Sequence, residues 1–465
     1  MIDIQMKELE EKIAAVKNSI GPNESSKLFS LTKKIENKDP LLIFEGAKQF
    51  VKDRFYWMNP NRTLAITGVG SVQTLIAEEN RFQETEDLWK QALEHTWIDN
   101  PYSTVPATGF VAFGGMDFDP LEVKTELWKK FELSKFYIPE LMLTTYHSDS
   151  YVTVNILINK EETIDEAATR LRKNTQKFIT GKTFGVQHIE IKRNRVIEPE
   201  KWKETVKEAT KEMKEKRAEK IVLAREVRLS FTEEINITQV LEELHHTQAN
   251  SYIFAFESGG DCFIGATPER IVKVENNNLL STCLAGTAPR GKTKEEDEQI
   301  GYELLHDKKN RDEHEFVVKM IKEAVLKTCT NVNIPNEPVL HPLKNLQHLY
   351  TSVTGTLKDE YSIFDCLKDL HPTPALGGTP TEDSLAYIRE HELLDRGWYG
   401  APIGWVDSNQ NGEFAVAIRS GLIQGDEASL FAGCGVLADS DPEMEFEETR
   451  IKMLPMLNVL GGKQE

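Results

Sequence analysis

Apolar positions recur along this chain with two periods, and the alternation between them sets out the expected elements. In 200–219, EKWKETVKEATKEMKEKRAE, residues Trp202, Val206, Ala209 and Met213 fall at helical steps, and lysine and glutamate fill the solvated face. Over about 1–58 the pattern predicts an amphipathic helix and a second helical stretch, PLLIFEGAKQFVKD, running up to Phe55, Tyr56 and Trp57. TLAITGVG and TGFVAFGGMDFD read as strands closed by glycine turns, and LMLTTYHSDSYVTVNILIN has the β-branched alternation of a hairpin. KIVLAREVRL predicts a strand opened by Lys220, followed by a helix near 237–246. A meander comes next: SYIFAFE, the turn SGGD, a strand CFIGATPERIVKV carrying Glu269, the turn NNN and LLSTCLAG. RDEHEFVVKMIKEAVLK reads as a helix, GWYGAPIGW as a strand, FAVAIRSGLI with SLFAGCGV as a hairpin, and a last helix begins near Pro442. No internal repeat or low-complexity tract interrupts this order.

With 465 residues, 39% of them hydrophobic and 28% charged, the chain has globular composition and more material than one small core needs. Two domains, or one large α/β body of two layered halves, are expected. No run of 18 apolar residues occurs and the first residues lack the features of a secretory signal, so the expected location is the cytoplasm, with no membrane partner. Five widely spaced cysteines without a CxxC pair fit reduced, buried thiols. A formal charge of −19 argues against a nucleic-acid partner, and an anionic substrate would need local positive charge from a metal ion, lysine or arginine. Gly68 and Gly70 lack the third glycine or GK[ST] of a nucleotide loop, so hairpin turns account for them better.

Several ionisable residues sit where burial would change their chemistry. Lys220 precedes the apolar run Ile221 to Ala224, where desolvation favours a neutral amine that acts as a base; a strand-edge lysine reaching solvent is the plainer alternative. Glu269, between apolar stretches, would as a buried carboxyl hold its proton near neutrality; a salt bridge to Arg270 is the alternative. Glu313 shares a helix face with Phe316, Val317 and Met320 and so needs a partner. Glu445, Glu448 and Lys452 lie on one stripe of the last helix, either a surface ladder or part of an oxygen-rich Mg²⁺ site completed by water and a substrate carboxylate.

The blocks KIVLAR (220–225), GATPER (265–270), LAGTAPRG (284–291), DEHEFVV (312–318), HPTPALGG (371–378), RGWYGAPIGW (396–405), AIRSG (417–421) and AGCGVLADSDPEMEFEETRIK (432–452) together resemble the chorismate-utilising enzymes. These include isochorismate, salicylate, anthranilate and aminodeoxychorismate synthases. The resemblance implies an α+β sandwich like that of anthranilate synthase component I: two large, mostly antiparallel sheets packed face to face, helices outside, and the site between the halves. In that picture 1–195 is a less specific N-terminal half contributing to a common core, and 196–465 is the chorismate-binding catalytic region of one integrated domain. Lys220 is implied as general base and Glu269 as general acid. Glu313 and Glu448 are implied as Mg²⁺ ligands, with Glu445 close by through water and Glu315 the alternative to Glu313. Lys452, Arg419 and Tyr399 would hold the substrate's carboxylates, while Gly286, Thr287, His348 and Gly433 shape the pocket.

Ammonia-using members of the family carry glutamine where this chain has Lys220, and a GALSGAPK-like string where it has HPTPALGG. Both departures point to water as the nucleophile and to a chain that needs no glutaminase subunit. HPTPALGG and RGWYGAPIGW resemble isochorismate synthases, and RFYW and FGGMDFD resemble the menaquinone-pathway enzymes of Gram-positive bacteria. The expected partners are chorismate and isochorismate, and the expected state is a monomer or weak homodimer. Salicylate synthases share Lys220 and Glu269, so pyruvate loss after isochorismate formation stays open, as does a siderophore pathway.

Overall fold

The structure is a computed structural model and describes residues 6–215, 218–343 and 346–462. The period-two segments assemble into two sheets, one of 13 strands and one of 10. The larger runs in space through Ile191–Val196, Lys220–Phe231, Glu427–Val436, Ser420–Gln424, Asp261–Thr267, Tyr252–Ser258, Arg54–Met58, Leu64–Val69, Leu141–Tyr146, Asp149–Asn159, Ser26–Ile35 and Thr96–Asp99. Its pairings are antiparallel except the last, where Ser26–Ile35 and Thr96–Asp99 run parallel. The smaller follows the path Cys329–Asn333, Leu346–Leu357, Asn278–Pro289, Arg270–Glu275, Gly412–Val416, Pro402–Asp407, Val111–Met116, Ser134–Ile138 and Gln73–Ala77. Strands from both halves of the chain are neighbours in each sheet: Arg54–Met58 pairs with Tyr252–Ser258, and Val111–Met116 with Pro402–Asp407.

The sheets face each other across an aromatic core. Phe55 and Trp57 from the larger sheet meet Phe113 from the smaller, with the Phe55 and Phe113 rings stacked at 4.5 Å. Phe256 and Trp398 close the same layer at 5.0 Å. Each such ring, wholly buried, contributes roughly 1.5–3 kcal/mol by leaving water. Gly68 is not the turn residue expected: it lies inside strand Leu64–Val69, where a Cβ would fall 2.1 Å from the Phe55 ring. Gly70, at φ +65°, turns the chain out of the sheet. The outer faces are covered by helices. Trp202, Val206, Ala209 and Met213 of helix Pro199–Lys214 are buried against Ile221 and Leu223, as their spacing predicts. Helices Arg81–Glu94, Lys308–Thr328 and Ile363–Leu370 pack on the smaller sheet. Among the described residues, no helix is long and apolar enough to cross a membrane. All five cysteines are buried and free.

The structure corrects three further expectations. The second N-terminal helix ends at Ala47, and the aromatic cluster belongs to strand Arg54–Met58; a further strand, Ser26–Ile35, precedes that helix. GWYGAPIGW is strand only from Pro402. CFIGATPERIVKV and FAVAIRSGLI are each two strands in different sheets, so Glu269 lies at a crossing between sheets instead of inside a strand. The chain leaves the larger sheet after Thr267 and enters the smaller at Arg270; it returns between Val416 and Ser420. The two crossings are bonded side by side, Val416 N donating to Glu269 O at 2.9 Å and Ala266 N to Arg419 O at 3.1 Å. Apolar residues run on through the crossings because both sheets bury the same core, so periodicity does not mark the break.

Candidate active site

The crossings open onto a cavity of about 700 Å³ lined by every site residue that the family resemblance implies: Lys220, Glu269, Gly286, Thr287, Glu313, His348, Tyr399, Arg419, Gly433, Glu445, Glu448 and Lys452. Lys220 enters it from the first position of its strand, where its backbone pairs with Thr379 and its carbonyl accepts from Ser384 Oγ at 2.9 Å. Between Ile221 and Val227 that strand edge has no strand neighbour, and side chains satisfy it instead. Ala224 N donates to Glu392 Oε2 at 2.7 Å, Arg396 Nη2 donates to Val222 O at 2.8 Å, and Trp202 Nε1 donates to Ala224 O at 2.9 Å. Glu392 and Arg396 are themselves a bidentate pair, 2% and 4% exposed. Breaking it in Glu392→Ala leaves a buried guanidinium unpaired and is expected to cost about 3–5 kcal/mol, read as a lowered denaturant midpoint.

Lys220, Val222 and Ala224 alternate onto the cavity face, and across from them Gly433 and Gly435 strip side chains from the same face. A Cβ on Gly435 would lie 2.4 Å from Lys220 Cε, so this glycine lets the lysine lie flat across the strand. Gly435→Ala is therefore expected to displace the Lys220 ammonium and lower kcat at least tenfold with KM for the substrate less affected; steady-state kinetics check this. Lys220 is no strand-edge lysine reaching solvent: its side chain is 16% exposed and its Nζ donates to Glu313 Oε1 at 2.8 Å.

Glu269 is not paired with Arg270. The Arg270 guanidinium turns away, donating to Tyr252 OH at 2.6 Å and to the buried Glu413 at 3.1 Å. Burial lifts the Glu269 carboxyl to about 7, against the opposing pull of Lys452, Lys220 and Arg419.

Glu313 is oriented by the residue that follows it. His314 is buried, its Nδ1 donating to Ala285 O at 3.0 Å and its Nε2 accepting from Thr351 Oγ1 at 2.8 Å. This fixes the helix so that Glu313 lines the cavity while Glu315 is exposed, which settles their places if not their roles. The apolar face expected around Glu313 is only partial, since Phe316 is exposed and Val317 buried. Opposite, a bulge at Gly286 (φ +75°) turns Thr287 toward His348, and Thr287 Oγ1 and His348 Nδ1 share a hydrogen bond of 2.9 Å. Burial first, then Arg419 and Lys452, depress His348 to about 3, so it is a neutral imidazole.

The helix Pro442–Val459 starts at the cavity mouth, capped by Asp441, which accepts from Glu443 N and Met444 N. Glu445 accepts from Ser440 Oγ at 2.6 Å, and burial raises its pKa. Glu448 pairs with Lys452 at 2.6 Å, and Lys452 Nζ also donates to Gly433 O at 2.9 Å. The stripe is thus no isolated surface ladder. Arg419 is held at φ +51°, a strained conformation for a residue with a side chain, and its Nη1 donates to Lys452 O at 3.3 Å. Tyr399 is buried beside Phe431, with ring centroids 5.5 Å apart.

The donor set fits a hard cation. Glu313 from one helix and Glu445 and Glu448 from another give only oxygen ligands to one cavity. Among the described residues no three His, Cys, Asp or Glu form a ready-made cage. Mg²⁺ usually takes one or two carboxylates and completes its shell with water and substrate oxygens.

A family model described as chorismate binding enzyme matches residues 13–461. The chain belongs to that family. In the chorismate-binding family it is 42% identical over 444 residues to isochorismate synthase MenF of Bacillus subtilis, covering 94% of each chain. It is 33% identical to the salicylate biosynthesis isochorismate synthase of Pseudomonas aeruginosa, over 94% of this chain and 92% of that one. Among solved structures it superposes on MenF, the menaquinone-specific isochorismate synthase of Escherichia coli, with a TM-score of 0.79 at 23% identity, covering 97% and 98% of the two chains. Anthranilate synthase component I of Streptococcus pneumoniae shares the fold with a TM-score of 0.68 at 20% identity, over 85% of this chain and 92% of that one.

Sequence reasoning missed Gly435, Ser384 and the Glu392–Arg396 brace. The alternating glycines of AGCGV carried a usable signal, because glycines two apart clear one face of a strand. Ser384 carried none, and Glu392 only its i, i+4 spacing from Arg396, since their other partners are backbone atoms more than 160 residues away in the chain.

Proposed function

We propose that this protein is a Mg²⁺-dependent isochorismate synthase that converts chorismate reversibly to isochorismate. The observation that carries the reading is the pairing, in one cavity, of a lysine and a proton-holding glutamate with the cationic groups Arg419 and Lys452 for a dicarboxylate substrate. Lys220 takes a proton from water as the water oxygen bonds to C2 of chorismate. The ring double bonds shift, the C4–oxygen bond breaks, and Glu269 gives its proton to the departing hydroxyl, so one water enters and one leaves. Arg419, Lys452 and Tyr399 orient the carboxylates, and the neutral His348 with Thr287 shapes the wall without adding charge. Glu313 and Glu448, with Glu445 through water, would hold Mg²⁺, which would supply Lewis-acid stabilisation of the charge built up in the reaction. The resemblance of RFYW and FGGMDFD to menaquinone-pathway enzymes, beside the 42% identity to isochorismate synthase MenF of Bacillus subtilis, supports menaquinone synthesis as the pathway. The buried, unpaired cysteines suit a reducing cytoplasm.

Turnover in H₂¹⁸O tests this directly: isochorismate is expected to carry ¹⁸O at C2, and product that retains only ¹⁶O overturns the proposal. At the metal, Glu313→Gln is expected to raise the Mg²⁺ concentration for half-maximal rate by about 10- to 100-fold, the scale of a lost ligand environment. Glu315→Gln is expected to leave it unchanged, and titration of rate against Mg²⁺ distinguishes the two.

A further inference from the structure

Glu313 and Glu448, the two carboxylates proposed to bind the cation directly, each carry a lysine ammonium. Glu313 holds Lys220 at 2.8 Å, bringing together a helix and a strand 93 positions apart in the chain, and Glu448 holds Lys452 at 2.6 Å, one helical turn away. Six carboxyl side chains, Glu269, Glu313, Asp439, Asp441, Glu445 and Glu448, line this one cavity of a chain with net charge −19, and ionised carboxylates there repel one another without such partners. The two ammoniums are fixed differently. Lys452 has a second acceptor, Gly433 O at 2.9 Å, which keeps it in place whatever Glu448 binds. For Lys220, Glu313 is the one hydrogen-bond acceptor of the ammonium among the described residues, while its stem is laid against Gly435.

We infer that Lys220 and Lys452 are place-holding counter-ions of the metal site, so that Glu313 and Glu448 exchange these two ammoniums for a divalent cation when the site is loaded. The inference rests on the reading of Glu313 and Glu448 as cation ligands. Its chemical content is that cation loading and release of Lys220 are one event. While Glu313 holds Lys220, the nitrogen that must meet a water molecule is occupied; once Glu313 turns to the cation, that nitrogen faces the cavity with no other acceptor among the described residues. Lys452, anchored on Gly433 O, stays at the wall and offers its freed charge to a substrate carboxylate. One lysine is thus released into the cavity and the other remains at the wall, and the difference comes from the second acceptor alone.

The test measures Mn²⁺ binding to the whole protein without chorismate, by electron paramagnetic resonance of the free ion, so that no turnover enters the readout. Lys220→Gln removes the competitor for Glu313 and is expected to tighten Mn²⁺ binding about tenfold, equivalent to about 1.4 kcal/mol. Lys452→Gln, at an independent pair, is expected to tighten it similarly, and it keeps the test valid if Lys220→Gln folds poorly. Lys309→Gln is the control for through-space charge: Lys309 lines the same cavity and pairs only loosely, at 3.7 Å, with Asp439. Little change is expected there. Unchanged or weaker binding in both folded lysine variants overturns the exchange, and so does an equal gain in Lys309→Gln. Glu313→Gln separates the two levels. If it loses Mn²⁺ while the lysine variants gain nothing, the exchange fails and the ligand assignment stands; if it binds Mn²⁺ like the wild type, the ligand assignment itself fails and takes the exchange with it.

Discussion

Replacing Lys220 with alanine is expected to lower kcat by about 10²- to 10⁴-fold, the contribution of a positioned general base, while folding and chorismate binding persist. The size follows from the geometry. The ammonium sits at the end of a strand whose backbone is held independently by Thr379, Ser384, Glu392 and Arg396, so the strand does not depend on the side chain. Alanine removes an ion pair with Glu313, a carboxylate 38% exposed, and such pairs contribute about 1 kcal/mol or less. Circular dichroism and equilibrium binding of chorismate, set beside the rate, check the separation. Collapse of the fold in Lys220→Ala would make the lysine structural.

Glu269→Gln is the second large expected effect, again about 10²- to 10⁴-fold in kcat. Glutamine keeps the size and polarity of the side chain but has no proton to give to the leaving hydroxyl. The same residue sets the pH dependence. Burial holds its carboxyl at about 7, so the acid form is present below neutrality and is lost above it, and kcat/KM of the wild type is expected to fall on the alkaline side with an apparent pKa near 7. For stability, a carboxyl raised from 4.5 to about 7 favours the folded state most below 4.5, and that contribution disappears as pH rises through about 7. Glu269→Gln should abolish this part of the pH dependence of unfolding. A wild-type profile flat from pH 6 to 8 would contradict the assignment.

How far the site could be read in advance depended on whether the relevant packing is local. The helix of 199–214 follows from its period, because it buries one face against one layer, and the hairpin of 141–159 follows from its β-branched run and central turn, although most of it is buried on both faces. The cavity residues came from motif resemblance, and the folded chain brings them together. What the pattern concealed are the two sheet crossings. Ala266, Ile271, Val416 and Leu422 are all buried, so alternation continues while the chain changes sheets, and only Pro268 and the strained Arg419 mark the places. That misreading hid why Glu269 and Arg419 share a cavity: they are the adjacent, mutually bonded corners of two crossings. Glu269 and Arg270 are consecutive and opposite in charge, which made a salt bridge the plain reading. The buried pairing of Arg270 with Tyr252 and Glu413, contributed by two other strands, removes it.

The chemistry of the cavity also separates this chain from relatives of the same fold, since fold alone hosts several outcomes. Anthranilate synthase component I of Streptococcus pneumoniae shares the two sheets, so the distinction lies in side chains: here Lys220 stands in one cavity with a Glu269 whose burial keeps its proton near neutrality. The most direct measurement is product separation after the purified protein is incubated with chorismate and Mg²⁺, with and without ammonium salts. Isochorismate, formed without pyruvate and without need of ammonia, is the predicted result. Salicylate with stoichiometric pyruvate, or an aminated product that appears only with ammonia, would contradict it.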